Sequence, residues 1–330
     1  MRRQPAAATR VEAAPLASRS RSLVVRRLRR VVRYVRDALL YVTILASVGL
    51  LAFVPLRVAV AAAGAAAGAL GPWLGRAWSL ADRHLAIAFP ALSPERRAAI
   101  VRATFANVGR SFAEVVKFRA IRRDLARYVE AEGLEHMRAA LADGRSAIAI
   151  SGHIGNWELL AAYCSLSGLP VSVIGRRLDS PLLNRLLVAF RARQGVKTII
   201  RDSPGSGRAI LSALRSNRIL ALLIDQDTRG PRVFVPFFGR LAGTPSGAAA
   251  LALRTGAPVV PAFITRRPGG GHSIRFYPPF PPADPSRDTP ESLTAAYTTV
   301  IERHIRACPD QWVWWHRRWR RQPANSMSQS

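Results

Sequence analysis

The sequence predicts an α/β fold: a mostly parallel central sheet flanked by helices, behind an N-terminal hydrophobic, membrane-associating helical segment. Three observations predict it. From residue 146 onward, short apolar runs of strand length alternate with longer stretches of helical periodicity, as in strand–helix–strand units. AIAISGHIGNWELL, Ala147 to Leu160, reads as strand, turn and helix in succession. Two uncharged stretches, Ala38 to Leu56 and Val58 to Gly75, are separated by Arg57. A chain of 330 residues makes one large domain or two small ones. The pattern divides it into a basic, partly disordered arm (1–37), a hydrophobic segment (38–80), an α/β domain (81–321) and a loose tail (322–330).

Residues 1–18 are polar, without a packed pattern, and read as disordered. RSRSLVVRRLRRVVRYVR, residues 19–36, alternates basic and apolar residues at helical spacing, which suits an anionic membrane surface. The first uncharged stretch is just long enough to span a bilayer core. The second carries Gly64 and Gly68, a spacing that lets helices approach closely. A cleaved signal peptide, a single pass and a shallow hairpin or monotopic insertion are the competing topologies.

Ser93 and Pro94 open a helix as cap and first position, running to about Phe118. Ala98, Val101, Phe105, Val108, Phe112 and Val115 form its apolar stripe. Strands are expected at 146–151, 171–175, 196–200, 219–224, 258–264 and 273–277. Helices are expected at 132–142, 156–167, 181–193, 206–216, 245–255 and 290–307.

The chain has 49 Lys plus Arg against 20 Asp plus Glu, a net charge of +29, and all but Lys117 and Lys197 of the basic residues are Arg. Such a charge calls for an anionic partner: nucleic acid, anionic lipid or an acidic protein. Cys164 and Cys308 offer neither a metal-ligand spacing nor a disulfide framework, which suits a reducing compartment.

His153 should sit where a strand ends and a helix begins, the usual ligand crevice of an open α/β sheet. With His153 in the turn, Glu158 one turn into the helix can reach back to its ring. A His so oriented has one free ring nitrogen that can take a proton from an attacking hydroxyl. A buried His satisfied by a carboxylate is the plain alternative.

His-x4-Glu after a strand resembles the signature of glycerolipid-type acyltransferases. SGHIGNWELL, IGRRLDSPLLNRLL (Ile174 to Leu187), Asp225 to Phe263, and QWVWWHRRWR (Gln311 to Arg320) together resemble the late acyltransferases of lipid A biosynthesis, over residues 38 to 321. The resemblance implies His153 as general base, Glu158 as its orienter, and Arg176 as an active-site arginine holding a phosphate. It implies acyl carrier protein as donor, a glycolipid acceptor, and a location on the cytoplasmic face of the inner membrane. It calls for no metal, redox cofactor or nucleic acid. Asp225 and Asp227 are expected in the substrate site, paired with Arg; a metal is the competing reading. Backbone amides near Gly155 are candidate oxyanion donors.

VFVPFFG, Val233 to Gly239, reads as core, or as the wall of an acyl groove. Thr244 should cap the following helix. Gly205, Ser206 and Gly207 lack the rest of a phosphate loop. Trp312, Trp314, Trp315 and Trp319 lie among His316, Arg317, Arg318, Arg320 and Arg321, a set that can stack nucleobases or sit at a membrane interface. The hydrophobic N-terminus favours the membrane. Two other functions remain: an acyltransferase for another glycolipid or lysophospholipid using acyl-CoA, and a membrane-tethered nucleic-acid-binding protein resting on charge alone.

Overall fold

The structure, a computed structural model, describes residues 31–323 apart from 33, 34, 36, 40 and 52. The arm expected to be disordered, most of the expected amphipathic helix and the tail beyond 323 lie outside the described residues. The chain divides into two units, Met1–Gly49 and Leu50–Ser330. In the first, the described residues are helical, with Val42 and Leu45 exposed. All that follows concerns the second.

Helix α1 (Leu56–Leu70) starts directly after Pro55, which cannot continue a preceding helix unbroken. With the turn that follows it, Leu56–Trp73 is long and apolar enough to cross a membrane, by length and composition. Val58, Leu70, Trp73 and Leu74 are exposed. After α2 (Gly75–Ala88) comes α3 (Pro94–Val116), capped by the Ser93 hydroxyl, which accepts from the Arg96 amide. The Gly64–Gly68 spacing meets its expectation: Gly64 faces Arg110 and Gly68 faces Ala106, both on α3. Gly109 answers from the other helix, since a Cβ there would stand 2.4 Å from the Ala63 carbonyl oxygen. The stripe on α3 is half right. Val101 and Phe105 are buried, but Phe112 is exposed, and Thr104, Asn107 and Glu114 are buried instead.

Helices α4 (Phe118–Arg123) and α5 (Leu125–Tyr128) lead into a seven-stranded sheet. Its strands are β1 (Val129–Glu132), β2 (Ala147–Ser151), β3 (Val171–Gly175), β4 (Lys197–Ile200), β5 (Ile219–Leu223), β8 (Val259–Arg266) and β9 (His272–Phe276). They lie in the order β1-β9-β8-β2-β5-β3-β4. The run from β8 to β4 is parallel throughout; β9 runs antiparallel to β8 and carries β1 beside it. This is the predicted mostly parallel sheet. Helices α6 (Leu134–Ala140), α7 (Trp157–Leu166), α8 (Pro181–Arg193), α9 (Ser206–Ala213), α10 (Gly247–Thr255) and α11 (Pro290–Ala307) connect and flank it.

All five residues of β2 are buried. Ile148 and Ile150 enter one hydrophobic core and Ala147 and Ala149 the other, as strand alternation requires. A strand covered on both faces reads as a continuous apolar run, which is why β2 is legible. The hairpin β6 (Arg232–Phe237) and β7 (Arg240–Pro245) was not predicted as strands. Its turn is Phe238–Gly239, both at positive φ, and not the Asn-Gly or Asp-Gly pair that marks such turns in a sequence.

Candidate active site

The carboxyl end of β2 lies between β5 and β8, so the residues that follow it emerge in the middle of the sheet edge. The chain turns at once through Ser151–Gly152–His153, and Asn156 caps α7, its side-chain oxygen accepting from the Leu159 amide. Gly155 holds φ at +57°, and a Cβ there would stand 2.3 Å from the Ile264 carbonyl oxygen. Only glycine meets both demands.

His153 sits in this turn with its side chain 24 % exposed. Its ring meets a carboxylate, but that of Asp225, directly after β5, and not that of Glu158. His153 Nδ1 lies 2.8 Å from Asp225 Oδ1, and the His153 amide donates to Oδ2 at 2.8 Å. The Trp312 indole donates to the same Oδ2 at 2.7 Å. Burial alone would raise the Asp225 pKa; His153 and Trp312 outweigh it and hold the carboxyl at about 2. An ionised carboxylate accepts only, so Nδ1 carries the proton and donates, which leaves the Nε2 lone pair free. Gly152 permits the approach, since a Cβ there would stand 3.3 Å from Asp225.

Glu158 instead takes a two-pronged pair with Arg191 of α8, at 2.8 Å to Nε and 2.5 Å to Nη2. The physical reason is direction. A side chain in the first turn of α7 follows that helix over the face carrying α8, while β5 runs parallel beside β2 and delivers Asp225 to the same edge as His153. The expected pairing of Asp225 and Asp227 with arginine divides accordingly: Asp225 meets His153 and Trp312, and Asp227 meets arginine. Asp227 is fully buried, and Arg321 donates to it at 3.0 Å. Arg176 emerges after β3 at the predicted edge, 60 % exposed and 3.3 Å from Asp179. Gly155 is not a free oxyanion donor, because its amide donates to the Gln311 carbonyl at 3.0 Å, and the Ile154 amide is taken by Gly152.

The C-terminal tryptophans are core, not membrane interface. Trp312 and Trp314 are fully buried, Trp319 is 7 % exposed, and Trp315 stacks on Phe105. They wedge the C-terminal segment against the active-site turn: Val313 donates to the His153 carbonyl, and Ile154 bridges to Trp312. No bilayer or base can reach the buried rings of Trp312, Trp314 and Trp319, and the half-buried Trp315 spends one face on Phe105, so the cluster supports neither reading. Nor does Thr244 cap a helix; its hydroxyl donates to the Ala242 carbonyl and accepts from the buried Arg318.

An apolar cavity opens beside the site. It runs between α7 and the strands β2, β5 and β3. Trp157, Glu158, Arg191 and Ser151 lie on its polar side. Ala149, Ala161, Ala221 and Val173 line its length, and Ile219 and Val171 stand at the amino ends of their strands. From Leu223 to Ile219 it follows the strand for roughly 13 Å. The VFVPFFG segment does not line it; Val235 and Phe237 are buried in the core beneath α11, on the opposite face.

Sequence reasoning assigned Trp312 to a membrane interface and not to the active site, and it did not find Arg191 or the buried network on α3. Glu114 there accepts from Arg266 and from His272 at 3.0 Å, from Tyr128 at 2.7 Å and from the Asn156 amide group at 2.9 Å. It thus ties α3 to β8, β9 and the cap of α7. A Glu and an Asn facing the apolar stripe were the available signal.

Comparison with known proteins matches residues 26–321 to the family described as bacterial lipid A biosynthesis acyltransferase. The chain is 30 % identical over 257 residues to a lipid A biosynthesis lauroyltransferase of Escherichia coli, covering 76 % of this chain and 81 % of that one. It is 29 % identical over 274 residues to a lipid A biosynthesis acyltransferase of Haemophilus influenzae, covering 80 % and 82 %. It is 27 % identical over 218 residues to a phosphatidylinositol mannoside acyltransferase of Mycolicibacterium smegmatis, covering 64 % and 70 %.

Proposed function

This chain belongs to the bacterial lipid A biosynthesis acyltransferase family, and on that premise we propose that it moves a fatty acyl group from a carrier-bound thioester to a hydroxyl of a lipid A precursor or a related glycolipid. The observation that carries the proposal is the junction of two features: a His153 ring with its Nε2 free and its Nδ1 held by Asp225, and an apolar cavity beginning next to it. The acyl chain lies in the cavity with its thioester carbonyl near His153. Nε2 takes the proton of the acceptor hydroxyl as its oxygen attacks the carbonyl carbon. The tetrahedral intermediate collapses, the carbon–sulfur bond breaks, and the imidazolium returns the proton to the leaving thiolate. Asp225 fixes the tautomer and stabilises the imidazolium. Glu158 and Arg191 brace the cavity mouth, and Glu158 acts through that brace. Arg176 holds a phosphate of one substrate.

Acyl carrier protein is the donor in this reading, its acidic surface drawn by the net charge of +29. The exposed apolar residues of α1 rest in the inner membrane, with the catalytic domain on the cytoplasmic face. The test is direct: purified protein, acyl carrier protein loaded with a fatty acid, and a lipid A precursor should yield an acceptor heavier by one acyl group in mass spectrometry. No mass shift with any glycolipid acceptor would overturn the reading.

The cavity makes a second expectation. Ala221→Leu adds bulk midway along it, so acyl chains that fill the wild-type cavity should lose about tenfold or more in kcat/KM relative to shorter ones. Competition between donors of two chain lengths measures this. An unchanged preference would mean the acyl chain lies elsewhere.

A further inference from the structure

Asp227 stands two residues beyond Asp225, and guanidinium groups from two distant parts of the chain gather on it. Arg321 makes its bond at 3.0 Å and a second to the Thr228 carbonyl at 3.1 Å. Arg232 holds Nε 3.8 Å from Oδ1, and Arg320 holds Nε 3.7 Å from Oδ2. Both stand beyond hydrogen-bonding distance. Asp227 Oδ2 and Arg232 Nε are buried without a partner, which folded proteins seldom tolerate. One carboxylate balances one of these cations. Among the described residues, Arg232 and Arg320 have no other carboxylate within 4.0 Å and no side-chain hydrogen bond. They are 27 % and 43 % exposed, so their remaining donors reach solvent. Beneath them the fully buried Arg318 adds another positive charge. The cluster adjoins the catalytic ring: His316 Nε2 lies 3.3 Å from the Asp227 carbonyl, and His316 is close enough to feel both Asp225 and His153.

Planar, permanently charged forks with unspent donors beside a catalytic site match the oxygens of a phosphate. We propose that Arg232 and Arg320 bind a phosphate ester of a substrate, carried either by the glycolipid acceptor or by the phosphopantetheine arm of the donor. Asp227, held by Arg321, offsets part of the repulsion between the two forks and holds them either side of its carboxylate. The proposal rests on the acyltransferase reading and names the charged group that the site recognises.

The experiment is a binding measurement on the purified full chain in detergent, so it does not depend on turnover. Two probe pairs separate the sources: a bis-phosphorylated glucosamine disaccharide lipid against its phosphatase-treated form, and 4′-phosphopantetheine against pantetheine. The wild type should hold the phosphorylated member of one pair about tenfold or more tightly than its partner, the worth of one to two charge-assisted contacts. Arg232→Gln/Arg320→Gln should bring that ratio close to one, Arg320→Lys should keep part of it, and added salt should compress it. The pair whose ratio the double variant collapses names the source. If the double variant does not fold, Arg320→Gln alone, an exposed position without a side-chain hydrogen bond, should still lower the ratio severalfold. A wild type that binds both members of both pairs alike, or variants that keep its ratio, would overturn the proposal. Failure of acyl transfer with the ratio intact would count against the acyltransferase reading and not against this site.

Discussion

His153→Ala lowers acyl transfer by about 10²–10⁴-fold, the usual worth of a general base, in protein that still folds. The ring is 24 % exposed at the end of a strand, and its Nε2 faces no protein partner among the described residues, so its removal opens no deep cavity. Asp225→Asn should fall about as far, for a reason the geometry makes specific. The introduced side chain must turn its oxygen to the two donors that meet at Oδ2, the His153 amide and the Trp312 indole. Its NH₂ then faces Nδ1 and donates to it. The ring is driven into the other tautomer, its proton moves to Nε2, and the base is lost; the same exchange in a Ser-His-Asp triad costs about 10⁴-fold in kcat. The double variant should be little worse than either single one, because the two residues act as a unit. Glu158→Gln should behave differently, weakening the hold on Arg191 and raising the KM for the acyl donor, with a loss that adds to that of His153→Ala. Steady-state kinetics on these purified variants, and on the His153→Ala/Glu158→Gln double, measure all five. Full activity without His153, or strictly additive losses for His153 and Asp225, would sink the pair; Glu158 losses that merge with those of His153 would restore it as the orienter.

The largest expected effect on stability lies at Glu114. Burial opposes its ionisation, yet the hydrogen bonds from His272 and Arg266 hold it well below the ordinary carboxylate range. Burial also lowers the His272 pKa, so Arg266 is the cation that balances it. Glu114→Gln strands the Arg266 guanidinium, whose side chain is only 10 % exposed. Breaking such a pair from one side costs about 3–5 kcal/mol. Chemical denaturation of the wild type and the variant measures it. Arg266→Met in the same chain should recover much of the loss, because no unpaired charge remains. Because the folded-state pKa of Glu114 is depressed, its contribution is present at neutral pH, begins to fade as pH falls below the ordinary carboxylate value, and is gone below the depressed one. A variant as stable as the wild type would mean that water reaches the cluster. Glu114 also bonds Asn156, the cap of α7, so activity should fall along with stability.

Several elements were legible because their cause is local. The strands 171–175 and helices 181–193 and 290–307 match the expected ranges residue for residue, since apolar period, Ser or Thr cap and first-turn proline all sit within the segment itself. The strand–turn–helix that carries His153 was legible to within a residue at its ends for the same local reason: an apolar run, two glycines and an Asn cap follow in order. The hairpin β6–β7 escaped because its turn residue is Phe238, held at positive φ by the packing around it and not by its own preference.

By itself, then, the sequence determined the class of fold, the place of His153 at the carboxyl edge of a central strand, and the readiness of α1 to take a close helix neighbour on its glycines, though not which helix that is. Each follows from residue periodicity or from a conformation that only one residue type adopts. The tertiary structure alone decided which carboxylate meets the ring, since Asp225 is 72 residues from His153 in the chain and adjacent only because β5 pairs with β2. It also decided the place of the tryptophans. A Trp beside Arg reads alike at a membrane, on a nucleobase or in a core, and only the chain folding back over the active-site turn chooses the core. Strand order and burial are sums over contacts between distant residues, and no local window of sequence contains them.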